Sequence, residues 1–168
     1  LKECLSKNLE ILKESAVRKN LNFSCSIPEE LEVFADERML NGIIRNLGTN
    51  AVKFTPKEGN IIVKAEQTEN SKVLISISDS GIGIPEKMID NLFNSSVNTK
   101  RTGTEGEPSS GLGLILCKEF TEKLGGELII DSEVDKGSTF KIILPGKEHE
   151  PISLAEKTNN VISDTIFE

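Results

Sequence analysis

Leu1, Leu5, Leu9, Leu12 and Ala16 recur at spacings of four and three, one apolar stripe of an amphipathic helix that Asn20 is placed to stop. Leu21, Phe23, Cys25 and Ile27 then alternate with polar residues as a strand does, ending at Pro28. Asp36 can cap a second helix, which the pattern carries to about Phe54, short of Pro56. Two more strands are predicted, one over residues 60–66 and one in KVLISIS, where Val73, Ile75 and Ile77 alternate with polar residues. Pro85 suits the first position of a short helix reaching Phe93. Residues 94–110 are rich in Gly, Ser and Thr and carry no apolar period. A loop of about 17 residues is uncommon in a compact domain unless it has a function. A helix from about residue 111 to 124 stops at Gly125 and Gly126, and ELIIDSEV and STFKIILP flank Asp135-Lys136-Gly137 as a hairpin. Helices and strands are mixed without strict alternation, which favours an α+β layer of helices on one mixed sheet.

Composition narrows the function classes. The 168 residues carry 20 Lys+Arg against 27 Asp+Glu, a net charge of −7. That argues against a surface that grips nucleic acid by neutralising phosphates, yet leaves room for a small phosphate ligand held by a few local groups. A hydrophobic fraction of 36% is enough for one core. No apolar run reaches the roughly 18–20 residues that span a bilayer, and no signal-peptide pattern opens the chain. Leu1 in place of Met reads as the start of a processed or excised piece. The single histidine, His149, excludes chemistry that needs several imidazoles. Cys4, Cys25 and Cys117 are widely spaced and read as buried thiols of a reducing compartment.

Three constellations carry chemistry. On the second helix, Leu40, Ile44, Leu47, Ala51 and Phe54 make an apolar stripe, and Asn46, Asn50 and Lys53 make a polar one along its edge. The trio is either a polar flank beside a core helix or a face that meets a phosphate and its metal. An Asn amide oxygen is a hard ligand suited to magnesium, and Lys supplies a point charge. In DSGIGIP, residues 79–85, Asp79 ends a strand and can accept a hydrogen bond from an exocyclic amine. Gly81 and Gly83 let the backbone approach a flat ligand, unless the segment is a plain turn before a Pro-led helix. A dinucleotide fingerprint fails, because Glu86 takes its third glycine position and Pro85 intervenes, and no P-loop occurs. In SSGLGLILCKEF, residues 109–120, Gly111 and Gly113 open a helix whose free N–H groups can face an anion. The loop before it, with Lys100 and Arg101, either folds over a ligand as a lid or carries plain solvated charges.

In this order the patterns resemble the ATP-binding catalytic domain of sensor histidine kinases, within the wider family of gyrase, the Hsp90 chaperone and MutL. The likeness covers roughly residues 32–145: NLGTNAVKFTP looks like the N box, DSGIGIP the first glycine box, SSGLGL the second, and GSTF at 137–140 the last. It implies a Bergerat-type fold, a two-layer α/β sandwich with a mixed, mostly antiparallel sheet of about five strands backed by helices on one face. It also implies a division into the end of a dimerisation or linker helix (1–20), the catalytic domain (21–145) and a tail or linker (146–168), although the stripe of Leu1 to Ala16 fits a core-covering helix of this same domain nearly as well. Carried over by residue, Asn50 would hold Mg2+, Lys53 would contact the phosphates of ATP, and Asn46 and Lys53 would serve catalysis. Phe54 would lie by the adenine or ribose, and Asp79 would bind the adenine amino group. Gly81, Gly83 and Ile84 would complete that end, with Gly83 against the base. Ser110, Gly111, Leu112, Gly113 and Leu114 would form the phosphate side, and Thr139 would lie near the adenine pocket.

The departures are specific. Ser109 stands where the second box begins with Gly, and Ser96 and Val97 follow Phe93 where a second lid aromatic is usual. ATP-hydrolysing relatives carry Glu four positions before the magnesium Asn, and Asn46 has no useful basicity there. The resemblance therefore implies transfer of the γ-phosphoryl group to a histidine. That acceptor lies outside these 168 residues, because His149 falls beyond the last motif. Implied partners are the histidine-bearing dimerisation domain of the same parent and a response regulator receiver domain. The parent is expected to be a homodimer acting in the cytoplasm. An anti-sigma-type serine kinase and a nucleotide-binding module without transfer share the same N box and first glycine box.

Overall fold

In the computed structural model, which describes residues 1–94, 101–108 and 111–146, the chain forms α1 (Lys2–Arg18), β1 (Asn22–Ser26), α2 (Glu37–Phe54), β2 (Asn60–Gln67) and β3 (Lys72–Asp79). There follow α3 (Glu86–Ile89), α4 (Gly113–Lys123), β4 (Glu127–Glu133) and β5 (Gly137–Pro145). One sheet takes all five strands in the order β1-β2-β3-β5-β4. β1 runs parallel to β2, with Phe23 beside Ile61, and every other pairing is antiparallel. The expected α+β architecture, a mixed and mostly antiparallel sheet of five strands covered by helices on one face, is the one found.

Alternation decides which sheet face is covered. Ile61, Val63 and Ala65 on β2, Val73, Ile75 and Ile77 on β3, and Phe140, Ile142 and Leu144 on β5 are buried, and their neighbours in sequence face the other way. Against them α2 presents Leu40, Ile43, Ile44, Leu47 and Ala51. Asp36 caps that helix as its sequence suggests, its Oδ1 accepting the Met39 N–H at 2.9 Å. α1 lays Leu5, Leu9, Leu12 and Ala16 into the same core. It comes so close that a Cβ on Gly48 would stand 2.8 Å from Leu12 Cδ2. Asn20 ends α1 in the left-handed region at φ 58°.

Some expectations are corrected. Pro85 is the cap before α3 rather than its first residue, and the helix is a single turn. Beyond it the N–H groups of Asn91, Leu92 and Asn94 bond three residues back, giving turns as far as Phe93. α4 begins at Gly113 instead of Gly111, because Gly111 takes a left-handed φ of 76°. The thiols are not uniformly buried: Cys25 is exposed on the edge strand β1, Cys4 is half-buried, and only Cys117 is enclosed. Burial pushes the Cys117 thiol up to about 12. Alkylation of the native chain at pH 8 followed by mass spectrometry should therefore modify Cys25 at least about tenfold faster than Cys117. Labelling of Cys117 at the rate of Cys25 would contradict its enclosure. Among the described residues no helix is long and apolar enough to cross a membrane. His149 and the tail from 147 onward lie outside the described residues, as do Ser96, Val97, Lys100, Ser109 and Ser110.

Candidate functional site

The polar edge of α2 forms one wall of a cavity of about 570 Å³. Asn46, Asn50, Lys53 and Phe54 all line it, so the helical spacing of the trio becomes a shared surface. Asn46 Nδ2 donates to the Gly42 carbonyl at 2.9 Å, which leaves its amide oxygen toward the start of α4. A Cβ on Gly113 would lie 3.0 Å from that oxygen, a tight contact that glycine avoids as the α4 turn comes near. Asn50 is half-buried, and among the described residues its amide makes no side-chain hydrogen bond. Lys53 is 8% exposed, and its Nζ donates to the Pro108 carbonyl. Desolvation lowers its pKa from the ordinary lysine value, and the charge of Glu107 opposes that shift.

The far end is acidic and apolar. Asp79 closes β3, and its Oδ1 accepts the Gly81 N–H at 2.8 Å. Burial raises its carboxyl to about 6 against the lowering effect of the Gly81 and Ser138 main-chain N–H groups. Ile84, Leu92 and Phe140 supply apolar walls there. Two cations lie over the Phe54 ring, with Lys53 Nζ 5.2 Å and the Arg101 guanidinium 5.5 Å from its centroid. Arg101 Nη1 also donates to the Gly83 carbonyl at 2.8 Å. Desolvation lowers the Arg101 pKa from its ordinary value.

The glycines of 79–85 are required by close main-chain packing. Gly83 has φ 64°, and a Cβ there would fall 1.9 Å from the Glu133 carbonyl oxygen. One on Gly81 would fall 2.4 Å from the Phe54 oxygen. The loop is thus wedged between the end of α2 and the β4–β5 hairpin. Main-chain bonds hold it there, from Ile82 N–H to the Phe54 oxygen and from Asp135 N–H to the Ile82 oxygen, both 3.1 Å. Gly83 and Ile84 line the cavity, whereas Gly81 is outside the lining.

Gly111, Gly113 and Leu114 line the opposite side, while Leu112 is 63% exposed and outside the lining. Thr139 is also outside it, its hydroxyl donating to Ser78 Oγ at 3.0 Å on the uncovered side of the sheet. Strand alternation sends its neighbours Ser138 and Phe140 inward instead. Arg45, Thr49, Glu107 and Ser138 join the lining without having been singled out, and so does Arg101, expected only as a loop charge that either covers a ligand or is solvated. The i, i+4 relation of Arg45 to Thr49 could have flagged those two; nothing local marks Glu107. Together the cavity offers Lys53 and amide oxygens at one end and a half-buried carboxylate with apolar walls at the other. That polarity suits a ligand with phosphates at one end and a flat, amine-bearing base at the other.

Residues 35–148 match the family described as histidine kinase-, DNA gyrase B-, and HSP90-like ATPase. The chain is 40% identical over 141 residues to the adaptive-response sensory kinase SasA of Gloeothece citriformis, covering 82% of this chain and 35% of that protein. It is 41% identical over 129 residues to the autoinducer 2 sensor kinase/phosphatase LuxQ of Vibrio vulnificus, covering 74% of this chain and 15% of that one. Among solved structures, the catalytic domain of histidine kinase ThkA superposes with a TM-score of 0.74 at 28% identity, covering 86% of this chain and 91% of that one. The chain thus spans about a third of the length of the SasA relatives it matches.

Proposed function

The chain belongs to the histidine kinase-, DNA gyrase B- and HSP90-like ATPase family, and from that premise we propose that it is the ATP-binding catalytic part of a two-component sensor kinase. In this reading it transfers the γ-phosphoryl group of magnesium-bound ATP to a histidine on the dimerisation helices of the same parent, a homodimer. A response regulator receiver domain then takes the group, on the cytoplasmic side. The observation that supports the reading is Asn46, an amide on the cavity wall beside the α4 turn, since an amide there cannot activate water for hydrolysis.

The residue roles follow from the cavity. Asp79 accepts the adenine amine, and Ile84, Phe140 and Phe54 bound the base. Lys53 leaves the Pro108 carbonyl for the phosphates, and the main chain at Gly111 and Gly113 lies beneath them. Asn50 fits as a magnesium ligand because its amide is uncommitted and faces the phosphate end. Among the described residues no cluster of three acidic, His or Cys side chains could hold the ion alone, so phosphates and water would complete its shell. When bound, the ion neutralises phosphate charge as the transferring group separates. Asn46 orients and does not abstract a proton, which keeps water from competing with the histidine. Residues 1–20 lead in from the dimerisation helices and pack onto the core of the catalytic domain, 21–145, and 146–168 serve as a tail or linker.

Calorimetric titration tests this. Magnesium-ATP should bind the parent chain, and Asn50→Ala should bind it about tenfold more weakly. Metal-free ADP should bind both alike. Equal binding of magnesium-ATP would remove Asn50 from the site. Labelled ATP and a supplied histidine-bearing helix pair should yield an acid-labile phosphohistidine; an acid-stable phosphoserine would favour the anti-sigma type of kinase.

A further inference from the structure

Lys19, just past the end of α1, is a lysine 6% exposed. Four oxygens surround its Nζ: the Val52 and Lys53 carbonyls at 2.9 Å each, Thr104 Oγ1 at 2.7 Å and Glu107 Oε1 at 3.0 Å. Two of these are carbonyls of the last turn of α2, where a cation suits both the unbonded oxygens and the helix dipole. The other two belong to a loop more than eighty positions away in the chain. A buried ammonium is costly unless paired, and Glu107 is its only carboxylate partner among the described residues.

The same loop is built around this contact. Glu107 Oε2 accepts the Glu105 N–H at 2.9 Å, and Thr104 N–H donates to the Lys53 oxygen at 3.0 Å. Gly103 N–H donates to the Glu107 oxygen at 2.9 Å. A Cβ on Gly103 would stand 2.3 Å from Glu107 Oε2 and 2.6 Å from Lys53 Cγ, so the loop is packed onto the stem of Lys53 itself. Burial would raise the Glu107 carboxyl, but main-chain N–H groups and Lys19 carry it below the ordinary glutamate value. One end of this loop supplies Arg101, over Phe54, and the other supplies Pro108, whose carbonyl receives Lys53.

We infer that Lys19 is a positioning residue for the nucleotide site, fastening residues 101–108 to the end of α2 so that Lys53 and Arg101 hold their places at the cavity. The inference rests on the ATP reading above for its functional consequence, whereas the tether itself is a property of the nucleotide-free chain. It joins the trailing end of α1 directly to the phosphate side of the site, a connection separate from the apolar packing of α1 on the core.

Hydrogen exchange and calorimetry on the 168-residue chain test it with Lys19→Met, Glu107→Gln and the double variant. Each single variant should speed exchange at the Thr104 and Glu105 amides about tenfold, with the amides of β3 and β5 unchanged. ATP binding should weaken about fivefold in Glu107→Gln and more in Lys19→Met, and the double variant should bind no more weakly than Lys19→Met. Should Lys19→Met loosen the whole sheet, Glu107→Gln decides, because it leaves the bonds of Lys19 to α2 in place. Unchanged exchange at 104–105 in Glu107→Gln, or losses that add in the double variant, would overturn the tether. A parent chain that binds no ATP, with the exchange response intact, would overturn the nucleotide reading and leave the tether standing.

Discussion

Asp79→Asn is expected to keep the fold and to weaken ATP binding on the order of a hundredfold. The carboxylate already accepts main-chain N–H groups from Gly81 and Ser138, and an Asn oxygen can still serve these. What the variant cannot offer is a second acceptor toward the cavity. Its NH2 would oppose the adenine amine, donor against donor. A lost charge-assisted bond together with an unpaired buried group amounts to about 3 kcal/mol, which is the hundredfold. Calorimetry with ATP and with a triphosphate whose purine lacks the exocyclic amine separates this cause from others. The second ligand should bind parent and variant alike, and an equal loss for both ligands would remove Asp79 from base recognition.

The same side chain sets a pH dependence. Its folded-state value of about 6 lies above the ordinary 3.8, so between those values the native chain holds a proton that the unfolded chain has released. Stability from this group therefore falls as pH rises through that window, by on the order of 3 kcal/mol, and the cost is fully present above pH 6. Asp79→Asn should lack that slope in urea titrations run from pH 4 to pH 7. ATP binding moves the opposite way. It needs the carboxylate and should weaken in the parent as pH drops below about 6, while the variant's residual binding stays level.

Gly137→Ala is expected to lower stability by on the order of 4 kcal/mol and to take nucleotide binding with it. Gly137 has φ 107°, a conformation L side chains rarely adopt, and its Cβ would lie 1.9 Å from the Asp79 carbonyl oxygen. Both clashing partners are main chain, so no side chain can swing aside. The strand pair must separate where Asp79 and Ser138 meet, which is also the adenine end of the cavity. Gly106→Ala is the control: its φ is 84°, but nothing lies within 4 Å of the added Cβ, so it should cost only about 1 kcal/mol in backbone strain. Urea unfolding of both variants measures the difference. A Gly137→Ala chain as stable as Gly106→Ala would contradict the close contact of the hairpin with residues 79–80.

Much of this architecture is legible in local patterns. The stripe of α1, the stripe of α2 with its Asp36 cap, the alternation in β2 and β3, and the hairpin around Asp135 all follow from spacings of two, three and four residues. Such spacings register which side of an element meets the core, and one core needs little else to choose a mixed sheet backed by helices. Asn46, Asn50, Lys53 and Asp79 were visible for the same reason, each sitting at a fixed offset on a regular element. Cys25 misled because an alternating strand does not announce whether it is an edge, and β1 has only β2 beside it. Thr139 stays outside the cavity that Asn50 and Lys53 line, because a motif fixes the order of residues but strand phase decides which of two neighbours turns inward.

The sequence by itself determined the elements, the apolar faces and the glycines at which the chain must turn, because these are short-range consequences of backbone geometry and side-chain period. The tertiary structure alone decided why those glycines are needed, since the atoms that exclude a Cβ at Gly83 and Gly137 come from Glu133 and Asp79, on other strands. It alone set Arg101 over Phe54 and brought Lys19 to Glu107. A salt bridge across such a chain separation has no period to read. It forms because a buried ammonium can be held only where folding has brought a carboxylate to it, with enough oxygens around it to replace water.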